Sequence, residues 1–183
     1  MRIIAGAWRG RRLAAPSGER TRPTADRVRQ ALFDMLWHAP WGGRAVVDRA
    51  SVLDAFAGTG GLGLEALSRG AATASFIERD PAALAALRAN VAACGAGARA
   101  RVVAADATRP PPGDPCTLVF LDPPYGADLV VRAVAALAAA GWIAPRALIL
   151  AELGREEARP ALGELLVERA HGAARLAVWR DAG

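Results

Sequence analysis

The chain has 183 residues, with 23 basic against 18 acidic side chains, a net charge of +5, and an apolar fraction of 53%. That length suits one domain able to bury about two-thirds of its unfolded surface, and the absence of an uncharged apolar run of about 18 residues or of an apolar leader argues against a membrane span or secretion. Cys94 and Cys116 have no metal-ligand spacing and His38 and His171 form no motif, so buried free thiols, no metal and a reducing cytoplasm are expected.

The positive charge is not spread evenly. Residues 1–30 hold eight arginines against Glu19 and Asp26, a net +6, whereas the remainder carries a net −1. A polyanion-binding face is the expected reading, with Arg9, Arg11, Arg12, Arg22, Arg27 and Arg29 as phosphate contacts. The arginines alternate with Ile3, Ile4, Trp8 and Leu13, apolar groups that would anchor the segment. Residues 1–14 read as two short strands around Gly6 and Gly10, a β-hairpin. Thr24 is the expected N-cap of a helix reaching Trp37, with Asp26 in its first turn and Val28, Leu32, Met35 and Leu36 recurring at helical spacing. Arg22, Arg27 and Arg29 should face outward or toward a ligand cleft, and Pro40 to Gly43 break the chain.

From Ser51 onward, strand and helix patterns alternate in the βαβ manner, which predicts an α/β, doubly wound, mostly parallel sheet. The segment Val52 to Ala55 is a short apolar strand carrying Asp54. It runs into a turn in which Gly58, Gly60 and Gly63 take the spacing G-x-G-x-x-G and open a helix from Leu62 to Arg69, an arrangement that lets backbone approach a ligand. The next strand, Thr73 to Ile77, ends in Glu78, twenty residues past Gly58, where an acid would take both hydroxyls of a ribose. Asp80-Pro81 caps a helix running to Ala93. A third strand, Arg101 to Ala105, ends in Asp106. The glycine loop with Asp54, Glu78 and its neighbour Arg79, and Asp106 with its neighbour Ala107, thus suggests one adenosine-containing ligand across the strand ends. A helix from Leu129 to Ala139 and strands at Ala147 to Glu152, Leu165 to Ala170 and Arg175 to Arg180 complete the chain. The last two flank Gly172 as an antiparallel closing pair.

The apolar run Leu118 to Leu121 leads into Asp122-Pro123-Pro124-Tyr125, which has the look of a loop for nitrogen methylation. Two prolines remove two backbone donors and leave carbonyls free to accept from a substrate, Asp122 adds a carboxylate acceptor, and Tyr125 offers a flat ring for stacking on a base. Together they describe a clamp for a planar –NH₂ group.

In this order the motifs resemble class I S-adenosylmethionine-dependent methyltransferases. The segments Arg2 to Gly6, Trp8 to Leu13 and Thr21 to Phe33 narrow the resemblance to the RsmD family, bacterial enzymes that methylate the exocyclic N2 amine of one guanine in 16S ribosomal RNA. Ala7 departs from that pattern, where many members carry a cation. The resemblance implies a Rossmann-like seven-stranded sheet, S-adenosyl-L-methionine as cofactor, and 16S ribosomal RNA within the small subunit or an assembly intermediate as partner. Residues 1–40 would form an RNA-facing hairpin and helix on a catalytic core spanning 45–183, acting as a monomer. Glu78 would hold the ribose, Asp106 the adenine amine, and Asp122 with the Pro123 carbonyl the substrate amine, with Tyr125 stacked on an extruded base. A DNA adenine or protein glutamine methyltransferase shares the cofactor features. A nicotinamide-dependent dehydrogenase shares the glycine spacing but not a reason for Asp-Pro-Pro-Tyr, and a non-catalytic RNA-binding module leaves the strand-end acids unexplained.

Overall fold

The computed structural model describes residues 1–16, 23–124, 128–172 and 174–181. Strand-forming apolar runs that end in acids set its architecture. They produce β1 (Ser51–Ala55), β2 (Thr73–Glu78), β3 (Ala100–Ala104), β4 (Cys116–Leu121) and β5 (Ile143–Gly154), followed by β6 (Glu164–His171) and β7 (Ala174–Arg180). The seven strands form one sheet in the order β3-β2-β1-β4-β5-β7-β6, parallel from β3 to β5 and antiparallel at β7 and β6. The order reverses between β1 and β4, which leaves a crevice at the carboxyl ends of the strands.

Each central strand is buried on both faces, and its period-2 alternation divides the apolar side chains between two cores. On one face, Val52, Phe76, Leu118, Phe120 and Leu150 pack with Leu32, Phe33 and Leu36 of α1 (Pro23–His38), Leu64 and Leu67 of α2 (Gly61–Ser68), and Leu87 of α3 (Pro81–Ala93). On the other, Leu53, Ile77, Val119, Leu121 and Ile149 meet Val130, Ala133 and Leu137 of α4 (Leu129–Ala139) and the fully buried Trp142. The doubly wound expectation holds. The Asp80 cap holds as well, its carboxylate accepting from Ala83 N–H at 2.8 Å with Pro81 at the first helical position. Among the described residues no helix is long and apolar enough to cross a membrane.

Two expectations at the N-terminal end are corrected. Helix α1 starts at Pro23, so Thr24 lies inside it and is not the cap; proline suits a first helical position, where its missing N–H costs nothing. The expected hairpin is reduced to a single antiparallel bridge, Arg2 to Arg12, supported by Ile3 N–H to Arg11 O and Leu13 N–H to Met1 O. The reason is that the backbone between them bonds to α2 instead. Ile4 and Ala5 N–H groups donate to the two Glu65 carboxylate oxygens at 2.8 and 3.0 Å, Ala7 N–H to Ser68 O, and Trp8 N–H to Ser68 Oγ. Gly6 is required at this contact, since a Cβ there would stand 1.8 Å from Ser68 O and its φ is +80°.

Candidate active site

Chain reversal after β1 builds the floor of the site. Phe56 adopts φ 65°, a left-handed conformation that is costly for a bulky residue, and turns the chain into the glycine loop. Asp54 is 1% exposed, and its Oδ2 accepts from Gly63 N–H at 2.8 Å, so the carboxyl caps the first turn of α2. Burial pushes its pKa up to about 8; the Gly63 N–H and Arg29 act against this, and the nearby Asp122 and Glu78 charges add to it. Gly63 must be glycine because a Cβ would meet the Phe76 ring at 2.4 Å.

Glu78, at the end of β2, braces the same loop. One carboxylate oxygen accepts from Gly58 N–H at 2.7 Å, and the other accepts from the N–H groups of Arg79 at 2.7 Å and Asp80 at 2.8 Å. An ionised carboxylate has about four lone-pair sites, so acceptor capacity remains for hydroxyl donors. Asp106 is held differently. Thr108 donates both its N–H and its hydroxyl to Oδ1, each at 2.8 Å, and Arg79 pairs with Oδ2 at 3.0 Å. The Thr108 bonds, with help from Arg79, hold the Asp106 carboxyl below the usual range.

These strand ends enclose a cavity of about 790 Å³. Its wall includes Asp54, Gly58, Glu78, Asp80, Asp122 and Glu152, together with Leu62, Leu121 and Arg29. Asp106, Ala107 and Arg79 are not among the residues of that wall. Asp122 follows directly on β4 and faces the cavity beside Glu152, near the end of β5, where Leu121 and Ala151 are register partners. Crowding by protein and then the Glu152 charge push the Asp122 carboxyl up to about 7; solvent still reaches the side chain across the open cleft, which tempers the crowding until a ligand covers it. Pro123 is buried and Pro124 exposed, and Tyr125 lies outside the described residues.

Glu152 is absent from the sequence-derived set although the signal was present: it ends the apolar run Ala147 to Ala151 as Glu78 ends β2. Arg29 takes the cleft-facing of the two orientations expected for it, and only its assignment as a phosphate contact is corrected: it is 4% exposed, lines the cavity, and pairs with Asp26 at 2.9 Å and with Glu65 at 3.6 Å. Arg9, Arg12 and Arg27 are exposed as expected. Arg11 is exposed too, yet donates to Ala93 O at the end of α3, and Arg22 lies outside the described residues. Among the described residues no three His, Cys, Asp or Glu side chains gather to hold a metal ion.

The residues present fit an adenosine-bearing cofactor with an amino-acid tail. Gly58 offers bare backbone at φ +53° with nothing within 4 Å of where a Cβ would stand, Glu78 lines the cavity with acceptor capacity to spare, and the acid-rich wall suits an ammonium. Comparisons with known proteins show which family the chain falls in. A family model described as conserved hypothetical protein 95 matches residues 1–180. The ribosomal RNA small subunit methyltransferase D of Escherichia coli strain K12 is 46% identical over 162 residues, 87% of this chain and 78% of that relative. The putative rRNA methyltransferase YlbH of Bacillus subtilis strain 168 is 33% identical over the full length of both chains. A solved structure described as a putative methyltransferase, yhhF from Escherichia coli, superposes with a TM-score of 0.84 at 41% identity, covering 100% of this chain and 99% of that one. With the family matched along nearly its whole length, and a cleft at the switch point of a seven-stranded sheet to match, this chain belongs to the RsmD family of methyltransferases.

Proposed function

We propose that this protein transfers the methyl group of S-adenosyl-L-methionine to the exocyclic N2 amine of a guanine in 16S ribosomal RNA. The observation that carries this reading is the placement of Asp122, at the carboxyl end of β4, in the same cavity wall as the glycine loop and Glu78. When bound, the cofactor supplies an electrophilic methyl group on a sulfonium. Glu78 accepts from the ribose hydroxyls while keeping Gly58 in place, and the Gly58 backbone allows close approach.

The amine needs more help than the leaving group, because its lone pair is delocalised into the purine ring. Asp122 and the Pro123 carbonyl accept its two hydrogens, which localises the lone pair and aims it. A carbon–nitrogen bond forms as the carbon–sulfur bond breaks, and the proton leaving nitrogen passes to the Asp122 carboxylate. An acceptor with a pKa near 7 is suited to take that proton and release it to water through the open cleft. Tyr125 follows directly in sequence, and its stacking on an extruded base is part of the proposal. The arginines of residues 1–30 that stay exposed, Arg9, Arg12 and Arg27 together with Arg11, hold the flanking phosphates.

Asp106, paired with Arg79 at 3.0 Å and next to Ala107 in sequence, is assigned to the adenine edge. The catalytic core is taken as 45–183 and the RNA-facing extension as 1–40, working as a monomer on the small subunit or an assembly intermediate. Incubation with labelled S-adenosylmethionine and, in parallel, small-subunit particles lacking the mark, naked 16S RNA and DNA tests the reading. Label entering only the ribosomal substrates supports it, and label entering DNA would overturn it.

A further inference from the structure

Two carboxylates stand side by side in the cavity wall, and the chemistry proposed above uses one of them. Leu121 of β4 and Ala151 of β5 are parallel register partners, so Asp122 and Glu152 are the next pair along the two strands. Side chains alternate along a strand, which puts Glu152 on the same face as Leu150, and both line the cavity with Asp122. Crowding and then the Glu152 charge raise the Asp122 carboxyl, so the two groups are within electrostatic reach of each other. Neighbouring carboxylates repel. A ligand that brings two adjacent N–H donors relieves that repulsion with two charge-assisted hydrogen bonds.

Few nucleobase edges meet that demand. Guanine carries its N1–H beside the N2 amine. Adenine has a bare N1 beside its N6 amine, and cytosine a bare N3 beside its N4 amine, so either base would set a ring lone pair against a carboxylate, which only accepts. Uracil has one N–H between two carbonyls. A second carboxylate next to the amine's acceptor therefore separates guanine from the other bases that offer an amine.

On the guanine-N2 reading above, on which this rests, we infer that Glu152 accepts the N1–H of the target base while Asp122 holds its amine, which makes Glu152 the residue that selects guanine. An acceptor for the amine alone does not discriminate, because adenine and cytosine present amines too. The position of Glu152 suits the task. It lies within β5, opposite Leu176 of β7, so the ladder fixes the backbone that carries it.

Small-subunit RNA ligated with either guanine or 2-aminopurine at the position the protein methylates separates this role from a structural one. 2-Aminopurine keeps the amine on C2 but has a bare N1. Wild-type protein should show a kcat/KM about 10- to 100-fold higher on the guanine RNA, the range for one hydrogen bond to a charged group. Glu152→Gln is isosteric and offers an amide N–H to a bare N1. It should remove most of that ratio, mainly by raising the rate on 2-aminopurine, with calorimetric S-adenosylhomocysteine affinity unchanged. The missing O6 of 2-aminopurine affects wild type and variant alike, so the change in ratio isolates the Glu152 contact. An unchanged ratio would overturn the inference, as would equal losses on both RNAs, which would make Glu152 a structural support. If the Gln variant does not fold, Glu152→Ala should narrow the same ratio from the other side, by slowing transfer to guanine. No methyl transfer to the guanine RNA by wild-type protein would overturn the functional reading itself, and this inference with it.

Discussion

Asp54 and Asp122 are both raised carboxyls, yet their surroundings assign them different work. Asp54 is sealed beneath the loop and bonded to Gly63 N–H, whereas Asp122 opens to the cleft. For Asp54 the folded protein holds a proton more tightly than the unfolded chain, so its contribution to stability is full below about pH 4 and is lost as pH rises toward about 8. Asp54→Asn keeps an oxygen for Gly63 and has no proton to lose. The wild-type melting midpoint should therefore fall relative to the variant's as pH is raised from about 5 to 8.5 in parallel thermal scans. Parallel curves would show that Asp54 does not titrate in that window.

In the proposed mechanism Asp122 is ionised when it accepts the amine's hydrogens. Single-turnover methyl transfer should rise with pH through about 7 and then level, because the acceptor ionises there. Asp122→Ala should lower the transfer rate by about 10²-fold or more while leaving calorimetric cofactor affinity nearly unchanged, since the proposed mechanism has the carboxylate act on the substrate amine. A variant that loses cofactor affinity and keeps its transfer rate would reverse this assignment.

At the scale of elements, α2 joins the parts. Its N-terminus carries the glycine loop, and fully buried Glu65 accepts from Ile4 and Ala5 N–H while pairing with Arg69 at 2.7 Å. Glu65→Ala leaves two backbone donors and two guanidinium groups short of an acceptor, and should cost about 3–5 kcal/mol in urea denaturation. A loss below about 1 kcal/mol would mean that the N-terminal ribbon repacks without it.

Helix α2 also shows what could and could not be read from residue order. Strand-end acids were legible because an apolar period-2 run that stops at a carboxylate marks a carboxyl edge, and the Asp80-Pro81 cap was legible because its chemistry is local. Glu65 was not, since an acid in a short helix reads as solvated until a backbone ribbon 60 residues away in sequence supplies donors. The same contact ties the ribbon between the paired residues to α2, which leaves the expected hairpin as a single bridge. Arg29 faces inward for a related reason: two of its partners, Arg2 O and Glu65, come from distant parts of the chain, which helical periodicity does not report.

For the whole molecule, charge separation is the functional statement. The cavity wall is acidic, whereas Arg9, Arg11, Arg12 and Arg27 of the N-terminal segment are exposed. If about four phosphates are neutralised, the logarithm of RNA affinity should fall against the logarithm of salt with a slope near −3. Replacing Arg9, Arg11 and Arg12 by alanine should flatten that slope by roughly 0.7 to 0.9 per lost contact and spare cofactor binding. Arg29→Gln should leave the slope alone, because its guanidinium is buried. A salt slope unmoved by the triple variant would place the RNA elsewhere.

The claim on which the rest depends is methylation of a guanine amine in small-subunit RNA. Ribosomal RNA from a strain lacking this protein, treated with it and S-adenosylmethionine, can be digested to nucleosides and resolved by mass spectrometry. The wild-type protein should raise N2-methylguanosine alone, and Asp122→Ala should raise nothing. Appearance of N6-methyladenosine, or no new methylated nucleoside from a protein that binds S-adenosylhomocysteine, would contradict the account.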